Sequence, residues 1–152
     1  MEVDGCLLGI DPGRYKFGWA FGTREEGLLC SGIGEAAAFT LWLGRVLGEK
    51  EYSFLQETLE EGDPKHEALL RKKRIFLGSG TGSPDFVRVF ERLACPFTQG
   101  EESFTTLEAR KLYWERHPPR GVWRLLPRGL FLPPRPVDDL AAWCIVKKSL
   151  GF

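Results

Sequence analysis

The sequence predicts one α/β domain over residues 1–152, built on a mixed five-stranded sheet with helices on both faces. Two observations predict this fold class. Three strand-like segments come first and are close enough together to form a meander. Strand-like and helix-like segments then alternate along the rest of the chain, which is typical of a sheet covered by helices. A length of 152 residues and a hydrophobic content of 43% suit a single domain with one core.

The first half of the chain begins with the three strands of the predicted meander. Residues 6–10 are continuously apolar, which is typical of a buried central strand, and Asp11-Pro12-Gly13 forms a turn after them. In residues 15–22 every second side chain is aromatic, which predicts a second strand, and residues 28–33 are the third predicted strand. The next predicted elements are a helix over 35–47, a frayed helix or acidic loop over 49–63, and a helix from Asp63-Pro64 to about Lys73.

Strands and helices alternate in the second half. A buried strand over 74–77 leads into the loop Gly78-Ser79-Gly80-Thr81-Gly82-Ser83. Ser83 is suited to cap the next helix, with Pro84 at its first position, and we expect this helix to end near Leu93. The remaining predicted elements are a strand over 95–102, a helix over 105–116, a proline-rich loop over 117–136, and a last helix from Asp138.

Charge is balanced over the whole chain but not along it, since 21 basic and 21 acidic residues cancel. Segment 110–135 carries seven basic residues against one acid. Segment 49–63 carries six acids against one Lys and is interpreted as a solvated face. A neutral protein can still present a basic face. The aromatic and Arg residues of 113–124 favour nucleic-acid binding over a loop simply packed on the domain, because they can stack bases and pair phosphates.

Other features of the sequence exclude several classes of protein. The four cysteines lie in apolar surroundings without a CxxC pair, so neither a zinc site nor a disulfide framework is predicted. No apolar run approaches the roughly 18 residues of a membrane helix, and the acidic start does not resemble a signal peptide. We therefore expect a cytoplasmic protein with no membrane partner. His66 and His117 are too isolated to indicate a site, and Trp42 and Phe54 are expected to be buried.

Three acidic residues stand at the ends of predicted elements. Asp11 ends the first strand, where open α/β sheets place their ligands, although Asp before Pro-Gly is also a common turn former. Glu102 closes the 95–102 strand, and Asp138 opens the last helix, where Asp serves as a cap. Taken alone, Glu102 and Asp138 are best explained by those structural uses. Together, three converging carboxylates would repel one another unless a hard cation such as Mg²⁺ neutralised them.

Three motifs containing these acids resemble, in the same order, those of the YqgF branch of the RuvC-type resolvases. The first is Leu8-Gly9-Ile10-Asp11-Pro12-Gly13-Arg14-Tyr15-Lys16-Phe17-Gly18-Trp19-Ala20, which resembles the family's opening Asp-x-Gly motif. Glu101-Glu102-Ser103-Phe104-Thr105-Thr106 resembles Asp-Glu-Arg-Phe-Thr-Thr, with Ser103 in place of the Arg. Val137-Asp138-Asp139-Leu140-Ala141-Ala142 resembles Ile-Asp-x-x-Ala-Ala. The 78–83 loop replaces the family's usual Gly-Leu-Pro.

The resemblance implies a ribonuclease H-like fold and a metal-dependent endonuclease. Its substrate would be branched DNA, such as a Holliday junction, or structured RNA, such as a ribosomal RNA precursor. Asp11, Glu102 and Asp138 would be the catalytic residues and would hold Mg²⁺ or Mn²⁺, with a pair of metals about 3.5–4 Å apart hydrolysing the phosphodiester. A homodimer is also suggested, since a junction has two strands to cut. The candidate nucleic-acid-binding residues are Arg14, Lys16, Ser79, Thr81, Arg110, Arg116, Arg120 and Arg124.

Two alternatives of other classes remain open from the sequence. A non-catalytic module could keep this fold and bind nucleic acid without cutting it. A relative of the sugar kinases and actin ATPases would share the Asp-x-Gly opening, but those proteins pair two such domains around ATP and this chain has room for one.

The 78–83 loop lacks the Gly-Lys-Thr ending of a P-loop. A simple strand-to-helix turn explains this loop, and a phosphate of a nucleic-acid backbone is the ligand that it best suits.

Overall fold

A six-stranded mixed sheet forms the centre of the structure, a computed structural model that describes residues 5–48, 52–80, 82–100, 105–121, 125 and 132–152. The strands are β1 (Cys6–Asp11), β2 (Lys16–Thr23), β3 (Gly27–Glu35), β4 (Leu59–Gly62), β5 (Lys73–Leu77) and β6 (Thr98–Gln99). The α-helices are α1 (Phe39–Gly48), α2 (Ser83–Arg92), α3 (Thr105–Arg116) and α4 (Asp138–Leu150). Short 3-10 helices span Ala36–Ala38, Ser53–Thr58 and Glu67–Leu70.

The strands lie in the order β4-β3-β2-β1-β5-β6. Strands β1 to β4 pair with one another in antiparallel fashion, whereas β5 is parallel to β1 and β6 is parallel to β5. Side chains alternate across β1, as the strand period requires, so that Leu8 and Ile10 enter one core cluster and Leu7 enters another. The predicted α/β class, with a mixed sheet and helices on both faces, is confirmed.

The larger core, between the sheet and helices α1 and α2, is aromatic. Phe17 lies 5.0 Å from Phe39, and Phe39 lies 4.3 Å from Phe86, measured between ring centroids. Trp42 and Phe54 are both buried, as predicted. The aromatic residues of β2 alternate with small ones, so that one face of the strand fills this core while the other admits a helix backbone.

Helix α4 covers the opposite face, with α3 packed beside it. Its backbone lies directly on the sheet at Gly9, where an added Cβ would overlap the carbonyl of Ala142. Trp143 and Val146 are buried against Leu7 of β1. This close approach requires glycine on the strand, and it positions the N-terminus of α4 near the end of β1.

Two predictions about the middle of the chain were wrong. The sheet has six strands rather than five, because Leu59–Gly62 of the acidic stretch pairs with β3 as an additional edge strand. The helix predicted from Asp63 to Lys73 is a short 3-10 helix, Glu67–Leu70, capped by His66, whose ring Nδ1 accepts from the Ala68 amide. Lys73 already belongs to β5, since it lies opposite Cys6 in the parallel pair.

Other boundaries differ from the predictions by less. Only Thr98–Gln99 form a strand in the described part of the predicted 95–102 strand, of which 101–102 lie outside the described residues. The helix predicted over 35–47 starts with a 3-10 turn and becomes α-helical at Phe39. The residue that caps α2 is Gly82 rather than Ser83, and Pro84 lies in the first turn as predicted.

All four cysteines are buried free thiols. Burial raises the pKa of Cys6 to about 11 and the pKa values of Cys30 and Cys144 to about 12, so these thiols stay protonated near neutral pH. Within the described ranges, no helix has the length and apolarity needed to cross a membrane.

Candidate functional site

Asp11 and Asp138 meet at one cleft although they lie far apart in the sequence. Asp11 is the last residue of β1 and lies opposite Gly18 of β2. The backbone of Asp138 lies against Gly18 so closely that an added Cβ would overlap its carbonyl. The strand pairing and this glycine contact together bring the first turn of α4 to the end of β1. Both aspartates line a cleft of about 270 Å³.

The same cleft contains three cationic side chains, from Lys16, Arg110 and Arg135. Lys16 Nζ lies 3.1 Å from Asp138 Oδ2, and both side chains are partly exposed. A carboxylate at this position therefore already has a cation beside it. Because the pair is open to solvent, its contribution to stability is small, about 0–1 kcal/mol.

The third predicted acid, Glu102, lies outside the described residues, as do Thr81 and Arg124. Among the residues that are described, no three His, Cys, Asp or Glu side chains come close enough together to hold a metal ion. The described part of the predicted triad is thus a pair of carboxylates, Asp11 and Asp138.

The remaining predicted nucleic-acid-binding residues fall into two groups. Arg14, Ser79 and Arg120 are exposed, and Arg110 is partly buried in the cleft wall. Arg116 instead donates from Nε to Glu61 Oε1 at 2.9 Å. The Arg116 side chain, which is 33% exposed, thus already pairs with Glu61, and its contact with nucleic acid stays a prediction.

The loop after β5 lies beside the turn that follows Asp11. The amide of Gly78 donates to the carbonyl of Ile10 at 2.9 Å. Gly82 lies so close to Gly13 that an added Cβ would overlap the Gly13 carbonyl. These contacts bring the start of α2 and the end of β1 to the same end of the sheet, where open α/β sheets bind their ligands.

A second group of charged residues, which the sequence analysis did not predict, surrounds Glu61 on β4. The Glu61 side chain is only 6% exposed, so the interpretation of the whole acidic stretch as a solvated face was wrong at this residue. Its carboxylate accepts from Arg116 at 2.9 Å and from Arg135 Nη2 at 2.8 Å, and it lies 2.8 Å from His117 Nε2. His117, which seemed isolated in the sequence, thus belongs to this group.

Arg135 connects Glu61 to the first turn of α4. Its Nη1 donates to Asp139 Oδ1 at 2.8 Å, and Ser31 Oγ donates to Asp139 Oδ2 at 2.7 Å. Asp139 is completely buried, so its role is to complete this network rather than to cap the helix in solvent. We call Ser31, Glu61, Arg116, His117, Arg135 and Asp139 the Glu61 network.

The Glu61 network fastens both ends of the proline-rich loop. Arg116 ends α3, His117 is the first residue of the loop, and Arg135 lies near the end of the loop, three residues before α4 begins. All three contact the one Glu61 carboxylate. The signal for this network was present in the sequence as two complementary segments, the acid-rich 49–63 and the base-rich 110–135. Their pairing could be recognised only when the fold brought Glu61 of β4 beside Arg116, His117 and Arg135.

Burial tends to raise the pKa of Glu61, but hydrogen bonds from Arg116, Arg135 and His117 outweigh it and hold the pKa below its ordinary value of 4.5. The ionised form is therefore favoured in the folded protein. A carboxyl whose pKa is lower in the folded protein than in the unfolded chain stabilises the fold fully at any pH above its pKa in the unfolded chain. This contribution is lost as the pH falls through its pKa in the folded protein.

We expect Glu61→Gln to lower the free energy of unfolding by about 2 kcal/mol at pH 7, because it weakens hydrogen bonds to a charged group. The difference from wild type should shrink as the pH falls below 4.5, because Glu61 then takes up a proton in the unfolded chain before it does so in the folded protein. Urea unfolding from pH 7 to pH 3.5 measures this. Glu60→Gln is the matched control, since Glu60 lies 3.7 Å from Arg135 Nε but is 37% exposed. Equal, pH-independent effects of the two variants would contradict the prediction.

Compared with models of known protein families, this chain matches none, and no curated protein matches it either. The function proposed below therefore depends on the residues and contacts of this chain and on the three motifs in its sequence.

Proposed function

We propose that this chain is a metal-dependent endonuclease of the ribonuclease H-like superfamily, similar to the YqgF branch of the RuvC-type resolvases. Its substrate would be structured nucleic acid, either branched DNA or folded RNA. One observation carries the proposal. Asp11 of the first motif and Asp138 of the third line the same cleft, although neither local structure nor sequence proximity requires them to meet.

The arrangement of the sheet supports this assignment. An antiparallel meander, β1 to β3, is followed by β5 and β6, which add in parallel on the other side of β1. Asp11 stands at the end of the strand between these two parts. Strand β4, which pairs with β3, is an addition at the far edge and supplies Glu61 rather than a residue of the cleft.

The donor set fits Mg²⁺ or Mn²⁺. Mg²⁺ is commonly held by one or two carboxylates together with waters and substrate phosphates, and the cleft offers Asp11 and Asp138 with room beside them. Glu102, from the second motif, would be the third ligand. When bound, such metal ions lower the pKa of water and stabilise the leaving oxygen of a phosphodiester.

The chain's own residues would hold the substrate in the cleft. Lys16, now beside Asp138, can turn to a phosphate oxygen when a metal neutralises that carboxylate. Arg110 also lines the cleft and would add a second cation for the nucleic-acid backbone. The proposed interface continues to the exposed Arg14, Ser79 and Arg120, and includes Thr81 and Arg124.

We expect Asp11→Asn to reduce cleavage to background, because it removes the charge of one proposed metal ligand while keeping the size of the side chain. Labelled four-way junctions, duplexes and structured RNA, each with Mg²⁺ or Mn²⁺, are the substrates to test. Asp85→Asn is the control, since Asp85 is 80% exposed on α2 and outside the cleft. Wild-type protein that cuts none of these substrates, or an Asp11→Asn variant that cuts as well as wild type, would contradict the proposal.

The ion pair between Lys16 and Asp138 favours a second candidate, a binding module that keeps the fold without catalysis. In such a module Lys16 would permanently occupy the position of a cation beside Asp138. Binding by wild type and Asp11→Asn with the same salt dependence, and cleavage by neither, would favour this candidate.

A further inference from the structure

The side chain of Tyr15 is open to solvent, unlike most aromatic side chains of this protein. It is 77% exposed, whereas the aromatic residues of β2 that follow it are completely buried or nearly so. Tyr15 lies in the turn between β1 and β2, at the end of the sheet where Asp11 lines the cleft. An aromatic ring left in water at this position contributes nothing to the core, and its face is open to a ligand that approaches the cleft.

The backbone of Tyr15 is fixed even though its side chain is open. The amide of Ala36, at the end of β3, donates to the Tyr15 carbonyl at 2.9 Å. Arg14 places its guanidinium over the ring, with Cζ 5.5 Å from the ring centroid. A guanidinium on one face of a tyrosine ring orients the ring and leaves the other face for a planar group.

The cations around Tyr15 indicate what that planar group is. Arg14 precedes it and Lys16 follows it, and both are exposed. An aromatic ring between two cations combines a surface on which a base stacks with charges that pair with phosphates. A partner protein would also bury an exposed tyrosine, but the three cations Arg14, Lys16 and Arg110 at or beside the cleft favour a polyanion.

We propose that Tyr15 stacks on an unpaired nucleobase next to the cleft, so that the preferred substrate has single-stranded nucleotides beside the position of cleavage. This inference rests on the proposed function, since it names the substrate class of the same site. A base inside a continuous duplex is stacked on both sides and does not offer its face to a side chain. Junctions, tails, bulges and loops offer such a base, whereas a continuous duplex does not.

The test measures affinity for a fully paired DNA duplex and for the same duplex with an unpaired single-stranded tail. Fluorescence anisotropy in EDTA, at one fixed salt concentration, separates binding from cleavage. A 2-aminopurine in the tail reports stacking directly, because its fluorescence is quenched when the base stacks. The variants are Tyr15→Ala and Tyr15→Phe, with Leu41→Ala as the control, since Leu41 is also exposed and lies on α1 away from the cleft. The exposure of Tyr15 means that these substitutions leave the core intact.

We expect Tyr15→Ala to weaken binding of the tailed duplex on the order of tenfold and to remove the quenching of 2-aminopurine. Tyr15→Phe keeps the ring and should bind like wild type, and the affinity for the fully paired duplex should change by less than about twofold. Equal losses on the two substrates, or no loss on either, would overturn the inference while leaving the proposed function standing. Wild-type protein that binds neither substrate would overturn both.

Discussion

Replacing Arg135 with alanine is expected to lower the free energy of unfolding by about 3–5 kcal/mol, since removal of one partner leaves a buried charge uncompensated. Asp139 has no solvent exposure, and Arg135 supplies its two hydrogen bonds from a charged donor, at 2.8 and 3.3 Å, beside the one from Ser31. Arg135 also donates to Glu61, which is 6% exposed. The substitution would therefore leave two buried carboxylates without their shared cation.

The chain contains a matched control for this variant. Arg88 and Asp85 form an ion pair on α2 at the same distance of 2.8 Å, but their side chains are 69% and 80% exposed. Arg88→Ala is expected to cost no more than about 0.5 kcal/mol, because exposed helix pairs are well solvated and contribute little. Urea unfolding of the two variants beside wild type measures the difference. Similar losses for the two variants would show that burial does not govern the strength of the Arg135 interactions.

Arg135 also relates the Glu61 network to the cleft, since it lines the cleft and contacts Asp139, the residue after Asp138. Burial disfavours the charged form of the Arg135 guanidinium and tends to lower its pKa. Hydrogen bonds to the carboxylates of Asp139 and Glu61, and their negative charges, outweigh this effect and raise the pKa of Arg135. The guanidinium therefore stays charged and fixes the chain as it enters α4. The Glu61 network is thus placed to hold Arg116, His117 and the first turn of α4 in one position.

The elements that were predicted correctly are those for which the local sequence is sufficient to determine the secondary structure. Residues 6–10 are an apolar run that forms a buried strand, and the apolar residues 75–77 form the buried part of β5, whose Arg74 is exposed. Strand β4 was missed because Leu59-Glu60-Glu61-Gly62 lacks the β-branched and aromatic residues that favour a strand. It is a strand because β3 offers a free edge, where Ser31 pairs with Glu61.

In the candidate site, too, some residues could be predicted from the local sequence and others could not. Asp11 and Asp138 were predicted from motifs, since each motif is a short local pattern. The contacts of Asp139 were not, because a buried aspartate next to a helix start looks the same in sequence as a capping aspartate. Its partners, Ser31 and Arg135, come from β3 and from the end of the loop. Contacts between such distant residues follow from tertiary packing, which residue spacing does not determine.

Gly18→Ala is expected to lower the free energy of unfolding by about 3 kcal/mol, the upper part of the range for overpacking. The added Cβ would overlap the backbone of Asp138 and Asp139, which cannot turn aside as a flexible side chain can. Relief requires β2 and the start of α4 to move apart. Because Gly18 lies opposite Asp11, the same movement would separate Asp11 from Asp138. In the proposed endonuclease, cleavage should therefore fall more than the loss of folded protein explains.

Gly44→Ala is the matched control, with the same chemical change on α1. An added Cβ at Gly44 meets no atom within 4 Å, and alanine favours a helix interior, so this variant should gain about 0.5–1 kcal/mol. Thermal and urea unfolding give the two stability changes, and cleavage per folded molecule gives the effect on the cleft. A Gly18→Ala variant that is as stable and as active as Gly44→Ala would show that α4 does not need to approach β2 so closely. Opposite signs for the two substitutions would show that the close contact at Gly18, rather than the general cost of an added methyl group, sets the position of Asp138.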